Sequence, residues 1–117
     1  MMALFFIFEE KIMRRGTTPT LTIKLNGILV ADLKTIKVTF KQKSILLSKT
    51  EKDVDIDVDE NTISVPFSQE DTLLFKKGNV EVQLRALLED GTTAIASKIK
   101  SFDMEEILLE GVLQSEE

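Results

Sequence analysis

The sequence predicts an all-β domain: an immunoglobulin-like antiparallel β-sandwich of about seven strands, with one short helical turn at 68–76 and a short C-terminal helix. Three observations predict it. Val80, Val82, Leu84, Ala86 and Leu88 alternate with Glu81, Gln83, Arg85 and Leu87, the period of a strand with one face in a core. Shorter runs elsewhere repeat that alternation. Turn-forming residues separate them at roughly ten-residue spacing, which favours a sandwich over a barrel.

In chain order, Ala3-Leu4-Phe5-Phe6-Ile7-Phe8 is a dense apolar run, far shorter than the roughly 20 residues a membrane helix needs. Glu9-Glu10 follow it directly, and no small-residue cleavage site is present, so a signal peptide is disfavoured. It reads as a strand or arm, or as the product of an upstream start with Met13 as initiator, and the second reading is preferred. The expected division is an extension at 1–12, one domain at 13–112 and a tail at 113–117.

Arg14 to Pro19 forms a polar lead-in. Leu21, Ile23 and Leu25 then mark the first core strand. Asn26-Gly27 offers a tight turn, and 28–33 is a short strand or an irregular crossing. From Lys34 to Lys41, Ile36, Val38 and Phe40 share one face, and Gln42-Lys43-Ser44 leads by a hairpin into a strand at 45–50. A further strand spans 54–58, and another carries Ile63, Val65 and Phe67. Pro66 near the end of that strand fits a terminus or a sheet edge. Ser68 caps a helical turn with Asp71 three residues on, and Lys76-Lys77-Gly78 closes it. Asp90-Gly91 suits a type I′ hairpin turn. The segment 92–102 returns against 80–88, with Ala94, Ala96 and Phe102 on one face and Ile95 and Ile99 on the other. That mismatched phase requires a bulge. Met104, Ile107 and Leu108 suggest a helical stripe that Gly111 ends.

Composition narrows function. The 15 basic and 20 acidic residues leave a net charge of −5, the wrong sign for nucleic acid or an anionic membrane. Cysteine is absent, so there is no disulfide framework and no thiolate metal site. Histidine is absent too, which removes the commonest general base and transition-metal ligand. Seven Phe are the only aromatics, so the stacking platforms of many sugar and single-strand binders are thin. Phe40, Phe67, Phe75 and Phe102 fall on apolar phases and are assigned to the core.

The acidic run holds the one metal candidate. Asp53, Asp55, Asp57 and Asp59 would share one face of a strand, offering hard oxygen donors to calcium. A calcium loop starting at Asp53 needs Gly sixth and Glu twelfth, however, and Val58 and Ser64 stand there. A solvated strand face whose charge blocks edge-to-edge aggregation is the preferred reading. From Lys34 to Lys52 there are six lysines and one acid, and the next eight residues hold five acids. Pairing between neighbouring strands is the favoured use, and a lysine patch for an acidic partner is the sharper one. Glu70-Asp71 does not make a catalytic carboxylate pair, because adjacent residues on a helical turn diverge and no base lies near them. No enzyme activity, catalytic residue or cofactor is expected.

Met13-Arg14-Arg15-Gly16-Thr17-Thr18-Pro19-Thr20, Ile36 to Phe40, Asn61 to Val65, Ser68-Gln69-Glu70-Asp71-Thr72-Leu73, Val80 to Arg85, Asp90-Gly91 and Ala96-Ser97 together resemble a family of small prophage and phage proteins of Gram-positive gut bacteria. These proteins are encoded in the tail and baseplate gene region. The resemblance runs from Met13 to about Val112, and family members begin at the equivalent of Met13. It implies a non-enzymatic virion structural or assembly protein, located in the particle and assembled in the bacterial cytoplasm. Its partners would be other phage structural proteins, in a homo-oligomer or symmetric assembly. The alternative is a small ligand-binding module for a host-surface glycan, assisted by calcium at Asp53, Asp55, Asp57 and Asp59.

Overall fold

The period-two residues become two sheets packed face to face. The computed structural model describes residues 5–9 and 11–115. Among them the strands are β1 (Phe5–Ile7), β2 (Ile12–Arg14), β3 (Thr20–Asn26), β4 (Leu33–Gln42), β5 (Ile45–Thr50), β6 (Asp55–Asp57), β7 (Thr62–Pro66), β8 (Gly78–Leu88), β9 (Ala94–Ala96) and β10 (Lys100–Glu105). A 3-10 turn at Val30–Asp32 and helix α1 (Gln69–Leu74) complete the order. One sheet runs β1-β3-β7-β6 and the other β2-β10-β8-β4-β5, with β9 also beside β8.

These are the ABED and GFCC′ strand orders of an immunoglobulin-like sandwich. The first strand is divided: β1 pairs with β3 in one sheet, while β2 runs parallel to β10 in the other. That parallel edge departs from the fully antiparallel arrangement expected. The strand count exceeds seven because the N-terminal segment contributes two strands and the segment after Asp90-Gly91 breaks in two.

The inward residues of both sheets make the core. Leu21, Ile23, Val38, Phe40, Ile63, Val65, Val80 and Leu84 are all fully buried, each contributing roughly 1.5–3 kcal/mol by leaving water. Phe40 sits edge-on to Phe67 and Phe102, with ring centroids 5.0 and 6.2 Å away, a favoured aromatic geometry. Phe75 is buried as well, so the four core phenylalanines read from the sequence are all in place. The core also takes in Phe6, Phe8 and Met13. Residues 5–8 are therefore built into the sandwich, and the fold reaches N-terminal to the boundary expected at Met13.

The return segment holds its predicted bulge. Arg85 pairs with Ala96 on β9, but Val82 pairs with Lys100 on β10, a one-residue slip along β8. Ser97 fills the break. Its N–H donates to Leu84 O at 2.8 Å, and its hydroxyl accepts the Leu84 N–H at 3.0 Å, taking the place of a ladder carbonyl. The slip reverses part of the expected facing. Ile95 joins Phe102 at the core, and Ala94, Ala96 and Ile99 are exposed.

The loop before β9 is wider than a two-residue type I′ turn. Only Gly91 has positive φ, at 78°, and Leu88 N–H reaches Thr93 O at 2.9 Å across the loop. The Asp90 carboxylate accepts the Thr93 hydroxyl and the Thr93 and Thr92 N–H groups, which hold its pKa at about 2.

No helix forms after β10 among the described residues. Met104 belongs to β10 and is buried, whereas Leu108 is fully exposed, so the expected helical stripe does not exist. At the other end of the sandwich, Asn61 (φ 57°) locks the chain crossing that precedes β4. Its side chain accepts the Val30 N–H and donates to Leu25 O and Ile28 O.

Candidate interaction surface

Three segments distant in sequence meet at one end of the sandwich: the lead-in after β2, helix α1 and the segment after β10. Helix α1 is short, and its geometry comes from its caps. The Ser68 hydroxyl accepts the Asp71 N–H and the Asp71 carboxylate accepts the Ser68 N–H, a reciprocal capping box as the sequence predicts. Asp71 also meets Lys49 Nζ at 2.8 Å. Partial burial pushes the Asp71 carboxyl up, but the Lys49 and Ser68 hydrogen bonds outweigh this and leave it lowered.

The far end of α1 is satisfied differently from expectation. It passes into extended backbone at Phe75, and Gly78 (φ 131°) opens β8 rather than ending the helix. The cation that meets its last carbonyls is Arg15, not Lys76 or Lys77. Arg15 Nε donates to Phe75 O at 2.7 Å, and Nη2 donates to Leu73 O at 3.1 Å. Such carbonyls have no partner within a helix and carry partial negative charge.

Arg15 is only 2% exposed, and a buried guanidinium is tolerated when its donors are engaged. Here the Glu106 and Glu110 carboxylates take the remaining donors, with Nη2 3.1 Å from Glu110 Oε2. Hydrogen bonds to Glu110 and then Glu106 raise the Arg15 pKa, and those same bonds lower both carboxyls.

Around this clasp the contacts are close. Gly16 (φ 75°) lies under Ile107, where an added Cβ would sit 3.1 Å from Ile107 Cδ1. Thr72 Oγ1 donates to Thr17 O at 2.8 Å, and Phe67 N–H donates to Pro19 O at 2.9 Å. Gln69 pairs with the backbone of Leu113 through two hydrogen bonds, at 3.0 and 2.7 Å. The segment after β10 is thus tied at Glu106, Glu110 and Leu113, while Leu108, Leu109 and Leu113 stand 107%, 81% and 78% exposed. The two motifs 14–20 and 68–73, separated by almost 50 residues of sequence, are in contact here.

Compared with protein-family models and with curated proteins, the chain matches none.

The acidic run is not built as expected. Only Asp55–Asp57 is strand. Asp53 accepts the Thr50 N–H at 2.9 Å, and Asp57 accepts the Glu60 N–H at 3.1 Å, so turns begin at both ends. Asp53, Asp55, Asp57 and Asp59 therefore do not share a strand face, and no group of three carboxylates within metal-binding reach forms among the described residues. Nor do the lysines pair with these acids across neighbouring strands. β5 and β6 lie in different sheets, and the charge partner of Lys49 is Asp71 on α1.

Sequence reasoning assigned no role of their own to Arg15, Asn61, Ser97 or Gln42. Gln42, 8% exposed, accepts the Lys76 N–H at 2.7 Å and donates to Lys76 O at 2.8 Å, tying the β4–β5 hairpin to the loop before β8. Its one sequence signal is a polar residue on the inward phase that ends the Ile36, Val38, Phe40 series.

Proposed function

We propose that this protein is a non-enzymatic structural or assembly component of a phage particle, belonging to the tail or baseplate and working through protein contacts. One observation carries the reading: three exposed leucines stand on a segment tied down by a buried arginine and by Gln69. A segment held in one shape loses little conformational freedom on docking, so even a modest contact is favourable. Repeated around a symmetric particle, such contacts gain by avidity. The motif resemblance supplies the phage context, and two of the motifs that carry it, 13–20 and 68–73, hold this segment. The partners in this reading are other phage structural proteins and further copies of the chain.

Mass spectrometry of purified particles from an induced lysogen carrying the gene tests it. Peptides of this chain at a stoichiometry matching a tail or baseplate ring are expected. Detection in the lysate together with absence from particles would overturn the virion assignment.

A further inference from the structure

Four lysines converge at the end of the second sheet. Lys41 and Lys43 come from the β4–β5 hairpin and Lys76 and Lys77 from the loop before β8. With Gln42, Ser44 and Asn79 they line an open cavity of about 370 Å³. The fold holds these charges together at a cost. Lys43 adopts positive φ (54°), a backbone region unfavourable for a side chain with a Cβ. The buried Gln42 amide pins the two loops to each other. All four lysines are exposed and form no ion pair within 4.0 Å among the described residues. Glu81, the register partner of Lys41, is the one acid among the described residues that line the cavity. Glu106 and Glu110 act on Lys76 at longer range, but both are bound to Arg15.

The complementary surface is on the same chain, out of reach. β6 is the edge of the first sheet, and Asp55, Ile56, Asp57, Val58, Asp59 and Glu60 are all exposed along it. The turn after β6 ends at Asn61, which bonds Val30 just before β4 begins, whereas the lysine hairpin lies where β4 ends. The ten residues of β4 span about 30 Å at 3.3 Å per residue, several times the screening length of physiological salt. No ion pair joins the two patches among the described residues, which leaves each of them to be neutralised between molecules.

We infer that the lysine-lined cavity receives the acidic β6 edge of a second copy of this chain. Ile56 and Val58, 43% and 61% exposed, would be covered in that contact. Because two different surfaces meet, the contact is heterologous, and each copy keeps one free site of each kind, so association continues into a ring or an open row. This deepens the assembly reading above, on which it rests, by naming the surfaces through which copies meet.

Sedimentation velocity of the purified full chain tests it. Self-association that rises with protein concentration is expected at low salt, weakened about 10-fold or more in high salt. The variant Lys41→Glu/Lys43→Glu/Lys76→Glu/Lys77→Glu should be monomeric, as should Asp55→Lys/Asp57→Lys/Asp59→Lys/Glu60→Lys. An equal mixture of the two should associate again, since each then supplies the surface that the other has lost. Circular dichroism checks the folding of both, and Lys→Gln and Asp→Asn versions replace any variant that does not fold. A wild-type chain that stays monomeric at all concentrations overturns the inference, as does association that survives both charge reversals, or a mixture that stays monomeric. A monomeric chain that is nevertheless found in purified particles overturns this contact alone and leaves the virion reading standing.

Discussion

Arg15 and the four lysines at 41, 43, 76 and 77 lie at the same end of the molecule and carry the same charge, yet the fold treats them in opposite ways. Arg15 is buried, and its planar fork reaches two backbone carbonyls and two carboxylates. The lysines are held out into water and form no ion pair among the described residues. The difference follows from side-chain chemistry. A guanidinium presents five donors in a fixed geometry and is weakly hydrated, whereas an ammonium is a strongly hydrated point charge that resists burial. A cation at this end of the sandwich is therefore structural when its donors can all be spent inside and available for contact when they cannot.

Removing the inward cation should have the largest effect. Arg15→Ala leaves the Leu73 and Phe75 carbonyls without their donor, and the expected loss is about 3 kcal/mol, read from urea denaturation. Arg15→Lys should recover little of it, because one ammonium cannot reach all four groups. The quadruple Lys→Gln variant at 41, 43, 76 and 77 should change stability by less than about 1 kcal/mol. An equal loss in the two variants would show that the inward and outward cations contribute alike to the fold.

Acid should remove part of the same clasp. The Glu106 and Glu110 carboxyls are lowered by Arg15, so the stabilisation they give is complete above the ordinary Glu pKa and is lost as pH falls through the lowered folded values. As pH falls below the ordinary Glu pKa of about 4.3, the urea midpoint of the wild type should drop more steeply than that of Glu106→Gln/Glu110→Gln. Parallel profiles would show that the two carboxylates contribute nothing.

A smaller loss should follow when α1, which presents the carbonyls to Arg15, loses its cap. Ser68→Ala should cost about 1 kcal/mol, measured in the same way. The smallest effect falls on the outward side. Lys43→Gly relieves a positive φ and should stabilise by roughly 0.5 kcal/mol, seen as a rise in melting temperature, while removing one charge from the cavity.

What the sequence made legible was local. The β8 alternation, the Ser68–Asp71 capping box, the strand-terminal Pro66 and the need for a bulge in the return segment all depend on residues a few positions apart. The missed features depend on which segments meet. Arg15 looks like any polar lead-in residue until α1 and the segment after β10 close over it. Glu106 and Glu110, four apart, have helical spacing, yet their carboxylates turn to that one guanidinium instead. The charge runs looked like a strand pair because nothing local announces that the chain changes sheets between Thr50 and Asp55.

The parallel pairing of β2 with β10 also decides how the domain would answer a mechanical load. Ile12, Met13 and Arg14 run alongside Asp103, Met104 and Glu105 in the same direction. A pull at residue 11 against residue 106 therefore slides the two strands past one another and strains their hydrogen bonds together, where an antiparallel edge gripped at one end would peel open bond by bond. Arg14, bonded to Glu105 and to the Glu106 carbonyl, lies across that sliding direction and adds a side-chain brake to it.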